Sequence, residues 1–222
     1  MITALTINYN TPELLERLLS SFRKHYTIPY IIIDGSDSVN YDKIIGFKKK
    51  YEVKIIHFPF NIHHGPGMAF GFKYIRTHQI LLLDSDVIVI RAGFLEDLKE
   101  KLKSNAYGIG DIQIINERGM NAEEGIKYLH PACALLNRNM VLKFSLPILH
   151  GAPMINAMKE IHKRGLSDKL LIHEQWITND FRKPIKKFII HDWQGTILET
   201  DGYHYEEAVK QRFAATGEDK LK

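Results

Sequence analysis

The triplet Asp84-Ser85-Asp86 lies between two apolar runs, Ile80–Leu83 and Val87–Ile90. On an extended chain, carboxylates two residues apart point to the same side, and the flanking runs put them where a sheet core meets the surface. Like charges that close repel by about 4 kcal/mol at an effective dielectric near 20. The pair therefore calls for a cation, a shared proton or a basic partner. Oxygen ligands suit Mg²⁺ or Mn²⁺ held jointly with ligand phosphates. Asn8, Asn10, Asp34 and Asn61 follow other apolar stretches in the same way. Asn and Asp are also ordinary turn formers, which accounts for any one of them alone.

These residues need a scaffold that gathers strand ends. Ile2–Ile7 is β-rich and stops at Asn8-Tyr9-Asn10. Thr11 reads as an N-cap and Pro12 as the first helical residue, ahead of Leu14, Leu15, Leu18, Leu19 and Phe22 at helical spacing. Strands over Pro29–Ile33, Val53–His57 and Gln79–Leu83 alternate with a Lys-rich helix over Tyr41–Tyr51 and a helix over Met68–Arg76. A Gly- and His-containing turn, Asn61–Gly67, precedes the second of these helices. The rhythm predicts a Rossmann-like, mostly parallel α/β sheet flanked by helices, with ligands beyond the carboxyl ends of its strands.

The later half predicts helices over Phe94–Lys103 and near Ile155–Lys163, and strands over Tyr107–Ile115, Ala132–Leu136 and Phe188–Ile190. Asn116–Gly125 reads as a flexible polar loop, and Gly217–Lys222 as a mobile tail. No linker is visible, so 1–222 is read as one domain with a better-defined front half.

Composition narrows the classes. Thirty basic against twenty-six acidic side chains leave a net +4, an excess that favours phosphate-bearing ligands without predicting nucleic acid. Cys133 is the single cysteine, which excludes an intramolecular disulfide and a cysteine-based zinc knuckle and fits a reducing compartment. Ile2–Ile7 is too short for a signal peptide, and aspartates interrupt the longest apolar runs far short of a membrane span. The expectation is a cytoplasmic protein. Membrane-surface contact through Lys48–Lys50 or Lys99–Lys103 is the minority reading, because such runs are most simply solvated helix faces. Gly65, Gly67 and Gly71 lack Gly-x-Gly-x-x-Gly spacing and follow the third strand, so a dinucleotide fold is disfavoured.

Taken together, these blocks resemble the family-2 glycosyltransferases, inverting enzymes of the GT-A fold. The resemblance rests on Ile2–Asn10 with Thr11-Pro12-Glu13-Leu14-Leu15, on Ile31–Ser36, on Asn61 through Gly71, and on Leu82–Asp86. Their order and spacing match the family's donor half over residues 1 to about 90, which leaves about 107–205 for the acceptor half. The resemblance implies a nucleotide-sugar donor, most often a UDP-sugar, and a Mn²⁺ or Mg²⁺ cofactor. It implies Asn8 and Tyr9 under the nucleotide, Asp34 on the base, Asp86 on the metal, and Asp84 on the ribose or the metal shell. Asn10, Asn61, Gly65, Met68 and Ser85 are further donor-side candidates.

The family often carries a late histidine before a small turn, which Ile190-His191-Asp192-Trp193-Gln194-Gly195-Thr196 resembles. His191 is thus the candidate third metal ligand, since Mn²⁺ accepts neutral imidazole. The family's acidic pair finds its counterpart in His173-Glu174-Gln175-Trp176, where Gln replaces the second acid. Glu174 is the candidate general base, with Asp180, Asp168 and Asp111 as fallbacks. His130 resembles a residue lining the acceptor site. Trp176 or Trp193 would offer a sugar platform, although a buried core is the commoner fate of Trp. The implied reaction moves a sugar, with inversion, to a hydroxyl of a glycan, lipid or protein. A sugar-phosphate nucleotidyltransferase is the rival enzyme, but Asn8–Pro12 lacks the Gly-rich, Arg-containing loop expected there. A catalytically degenerate glycan-binding or scaffold module is the non-enzymatic alternative, motivated by Gln175.

Overall fold

The computed structural model describes residues 1–149, 151–173 and 188–191. Its first part alternates strand and helix: β1 (Ile2–Asn8), α1 (Pro12–Arg23), β2 (Tyr30–Asp34), α2 (Ser38–Ile44), α3 (Phe47–Lys50), β3 (Lys54–His57), α4 (His64–Tyr74) and β4 (Gln79–Leu83). Then come β5 (Val87–Val89), α5 (Phe94–Lys101), β6 (Gly108–Ile115), β7 (Ile126–Asn137), α6 (Arg138–Val141), α7 (Ile155–Lys163), β8 (Leu170–Ile172) and β9 (Ile189–His191). Among the described residues, seven strands form one sheet in the order β3-β2-β1-β4-β7-β6-β8. The first four run parallel, and β7 lies antiparallel to both β4 and β6.

Strand order reverses at β1. The chain steps outward to β2 and β3, then returns to place β4 on the other side of β1. A reversal of this kind opens a crevice above the carboxyl ends of the two strands beside it. Alternate strand residues feed two cores, as a period of two requires. Leu81 and Leu83 join α1 (Leu15, Leu18, Phe22) and α5 (Phe94, Leu98) on one face. Ile80 and Leu82 join α4 (Met68, Phe72) and α7 (Met158, Ile161) on the other.

Several elements depart from the sequence expectation for identifiable reasons. Helix α4 begins at His64 instead of Met68 because the glycines expected to make a turn serve as a contact surface. A Cβ on Gly71 would lie 2.6 Å from Leu5 Cδ2, and one on Gly67 2.8 Å from Ile7 Cγ2, so small residues let α4 settle onto β1. The Lys-rich helix starts earlier, at Ser38, where the Asp37 carboxylate accepts from Asn40 N at 2.9 Å, and it breaks into α2 and α3. Thr11 holds the N-cap position of α1 ahead of Pro12, as expected, but its side chain makes no cap bond; its hydroxyl donates to Asn8 Oδ1 at 2.8 Å. The polar 116–125 segment is a hydrogen-bonded connection, with Asn116 N donating to Met120 O and Ala122 N to Ile114 O. Strand β7 accordingly begins at Ile126, ahead of the expected Ala132.

One polar residue ties the central strands together. Thr6 has no exposed surface; its hydroxyl donates to Leu83 O at 2.8 Å and lies 2.7 Å from the Tyr30 hydroxyl. With the Thr6 proton committed to β4, Tyr30 is the donor from β2. Thr6→Val strands the buried Tyr30 hydroxyl and is expected to destabilise the fold by about 1–3 kcal/mol. Urea unfolding should show a lower midpoint at unchanged slope, and the double variant with Tyr30→Phe should recover part of the loss.

Candidate metal and nucleotide site

Three parallel strands end in register on polar residues, with Asn8 beside Asp34 and Asp34 beside His57. Asn8 is buried; its amide donates to Asp34 Oδ1 at 2.8 Å and to Ser36 Oγ at 3.2 Å. The Ser36 hydroxyl donates to the same Asp34 oxygen at 2.7 Å. The other oxygen, Oδ2, lies 2.8 Å from His57 Nδ1. Asn10 takes a left-handed conformation (φ 53°), which Asn tolerates. Its N–H donates to Ser36 Oγ at 2.8 Å and its side-chain oxygen accepts from Asp37 N at 2.9 Å. These bonds fix one lip of the crevice.

The other lip is the end of β4. Asp84 N donates to Ala132 O, and Val87 N donates to Asp84 O at 3.2 Å. Asp84–Val87 is therefore a tight turn and not the extended segment expected from sequence. The turn still gathers the carboxylates, because β5 pairs with β9 and sets Val87 opposite His191. His191 Nε2 lies 3.2 Å from Asp86 Oδ1, and His64 Nε2, at the start of α4, lies 3.3 Å from Asp84 Oδ1. One ligand atom each from Asp84, Asp86 and His191 lie within 4.8 Å of one another, with Asp86 and His191 buried. Two carboxylates and an imidazole gathered so tightly form a donor set that fits a divalent cation.

The electrostatics follow from this crowding. Burial alone would raise the Asp84 pKa, but the His64 imidazole, helped by His191 and His130, holds it below the usual carboxylate value. His130, its ring 5.8 Å from that of His191, is affected mainly by burial, which pushes its pKa from 6.5 down to about 4. Its Nδ1 accepts from Ala132 N at 3.2 Å, so the neutral ring carries its proton on Nε2.

The structure brings Asn8, Asn10 and Asp34 together at one lip and Asp84, Ser85, Asp86 and His191 at the other, with His130 beside the latter. Tyr9 follows β1 and is half-buried. Asn61 turns inward on its own loop, accepting from His63 N at 2.9 Å. Gly65 packs against the backbone of Leu149, and Met68 has no exposed surface and belongs to the core. Asp168 is exposed beside Lys169, and Asp111 sits at an irregularity in β6. Glu174, Gln175, Trp176, Asp180 and Trp193 lie outside the described residues. Sequence reasoning passed over His57 and Ser36. The signal for His57 was its place as the last residue of β3, the same place Asp34 holds in β2.

Because His130 is neutral when folded and titrates normally when unfolded, the unfolded chain binds the extra proton as the pH falls. Its contribution is complete above about pH 6.5 and is lost progressively down to about pH 4, on the order of 3 kcal/mol. His130→Gln should flatten the stability profile in that window, as read by urea unfolding at stepped pH.

Residues 3–162 match the family model described as glycosyl transferase family 2. No curated protein matches the sequence. Among solved structures, the mannosyltransferase PcManGT from Pyrobaculum calidifontis, in complex with GDP-Man and Mn²⁺, aligns with a TM-score of 0.60 at 10% identity, over 100% of this chain and 76% of that one. TarS from S. aureus, in complex with UDP-GlcNAc, aligns at 0.54 with 14% identity over 85% of this chain and 57% of that one. In another TarS structure the chain spans 40% of the longer protein. Glucosyl-3-phosphoglycerate synthase from Mycobacterium tuberculosis, in complex with Mn²⁺, UDP-glucose and phosphoglyceric acid, aligns at 0.55 with 14% identity over 78% and 68%. At such low identity these likenesses establish a common fold, and the family model spans most of the sequence: the chain belongs to glycosyl transferase family 2, on the GT-A fold.

Proposed function

We propose that this chain transfers a sugar from a nucleotide-sugar, with a UDP-sugar favoured, to an acceptor hydroxyl on a glycan, lipid or protein. The observation that carries the reading is the convergence of Asp84, Asp86 and His191 within 4.8 Å, at the strand-order reversal and across from the Asn8–Asp34 lip. The three similar structures were solved with GDP-Man, UDP-GlcNAc or UDP-glucose, and two of them with Mn²⁺, which supports the same ligand class here.

In this reading Asp86, Asp84 and His191 would hold Mn²⁺ or Mg²⁺, which when bound supplies positive charge to the departing nucleoside diphosphate. Asn8, Asn10 and Asp34 keep the nucleotide lip rigid, with Tyr9 beside it. His130, kept neutral by burial, is proposed for the acceptor side. Glu174 accepts the proton of the attacking hydroxyl, with Asp180 as the fallback, and attack from the face opposite the nucleotide inverts the anomeric centre. Trp176 and Trp193 are proposed for the acceptor side. No helix among the described residues is long and apolar enough to cross a membrane.

Calorimetric titration of UDP with and without Mn²⁺ tests the metal site. Asp86→Asn should weaken metal-dependent binding on the order of 100-fold, about 2.7 kcal/mol, while thermal unfolding remains cooperative. Equal UDP affinity for the parent protein with and without metal would sink this part of the reading. Glu174→Gln should lower turnover by roughly 100-fold or more with donor binding intact; undiminished turnover would remove Glu174 from the role.

A further inference from the structure

We infer that His57 reads the nucleobase, with Asp34 acting behind it, and that the site prefers bases presenting a ring N–H, uracil or guanine, over cytosine and adenine. The inference rests on the donor site proposed above and assigns one of its contacts to a residue the sequence did not single out.

Asp34 cannot touch a ligand in this arrangement. It has no exposed surface, and its Oδ1 already accepts from both the Asn8 amide and the Ser36 hydroxyl. Its Oδ2 is taken by His57 Nδ1 at 2.8 Å, with Ser36 N a longer contact at 3.4 Å. A carboxylate oxygen has two lone pairs, so little acceptor capacity is left.

His57 is placed differently. It stands next to Asp34 in register at the carboxyl end of β3, on the ligand-facing rim of the sheet, and its side chain keeps 20% of its surface exposed. One face of the ring is stacked on Tyr41 of α2, with centroids 3.7 Å apart and planes 17° from parallel. Ionised Asp34 is an acceptor only, so it fixes the His57 proton on Nδ1. In the neutral ring, the other nitrogen, Nε2, is then an acceptor. The Tyr41 stack and the Asp34 bond hold its direction. An acceptor so fixed pairs with uracil N3–H or guanine N1–H. It meets a lone pair at cytosine N3 or adenine N1, which leaves both groups unsatisfied.

Calorimetry with UDP, GDP, CDP, ADP and inorganic pyrophosphate tests this, each with Mn²⁺, in buffer alkaline to the ordinary imidazole range. The parent protein should bind UDP or GDP about tenfold more tightly than CDP and ADP. In His57→Asn the shorter amide can still reach Asp34 but lacks the Nε2 acceptor. Its preference among the four nucleotides should shrink to within about twofold, with pyrophosphate affinity unchanged. His57→Gln, whose amide reaches the Nε2 position, should retain more of the preference. Undiminished base preference in His57→Asn overturns this inference and leaves the donor reading standing. Loss of pyrophosphate binding in the same variant also overturns it, because the residue would then act on the whole site. A parent protein that binds none of the four nucleotides overturns the donor reading as well.

Discussion

The mutual repulsion of Asp84 and Asp86 is the constraint around which the rest is organised. Both carboxylates are confined to a turn at the end of a buried strand, where water cannot screen them fully. The chain answers with imidazoles from three separate elements: His64 from α4, His130 from β7 and His191 from β9. His64 and His191 lie 3.3 and 3.2 Å from Asp84 and Asp86, and burial keeps His130 neutral. Histidines at these distances moderate the negative charge without cancelling it as a fixed cation such as arginine would. A cation and a proton therefore compete for the same ligand atoms. Such a donor set leaves room for an ion, whereas an arginine in the same place would close it.

Topology explains why that turn lies beside the carboxyl ends of the central strands. The reversal of strand order at β1 puts β1 and β4 side by side at the centre of the sheet. Thr6 bonds β1 to β4 and meets Tyr30 of β2, which locks the heights of the strand ends against one another. Glycines on α4 bring that helix down onto β1, so its first residue, His64, arrives within reach of Asp84. The position of the chemistry is thus a consequence of packing between adjacent elements, many of them distant in sequence.

What could be read without coordinates is what does not depend on such distant contacts. The first four strands were legible because each is a short apolar run bounded by polar residues. Asn8, Asp34 and Asp84 were legible because each follows directly on such a run. The conformation around Asp84–Asp86 was not, since a turn and an extended segment can carry the same three residues. His191 was reachable only through family resemblance. Its position depends on pairing with Val87, far away in the chain, and no local pattern encodes that pairing. The start of α4 was misplaced because glycine signals a turn and a close approach equally well, and only the neighbouring Leu5 and Ile7 decide between them.

The two lips of the crevice differ in how their charges are held. Burying a carboxylate completely is costly unless donors fill its lone pairs. Asp34 meets that condition through Asn8, Ser36 and His57 before any ligand arrives. Its lip therefore needs no rearrangement on binding, which is what preorganisation means energetically. The opposite lip holds two carboxylates close together, with imidazoles at 3.2 and 3.3 Å. In the proposed donor complex, a cation and a diphosphate arriving together would meet that concentration of charge, whereas a free nucleoside would not. Under the proposed function, affinity would reside in the Asp84–Asp86 turn and selectivity in the Asn8–Asp34–His57 row, and the two could vary independently because different strands carry them.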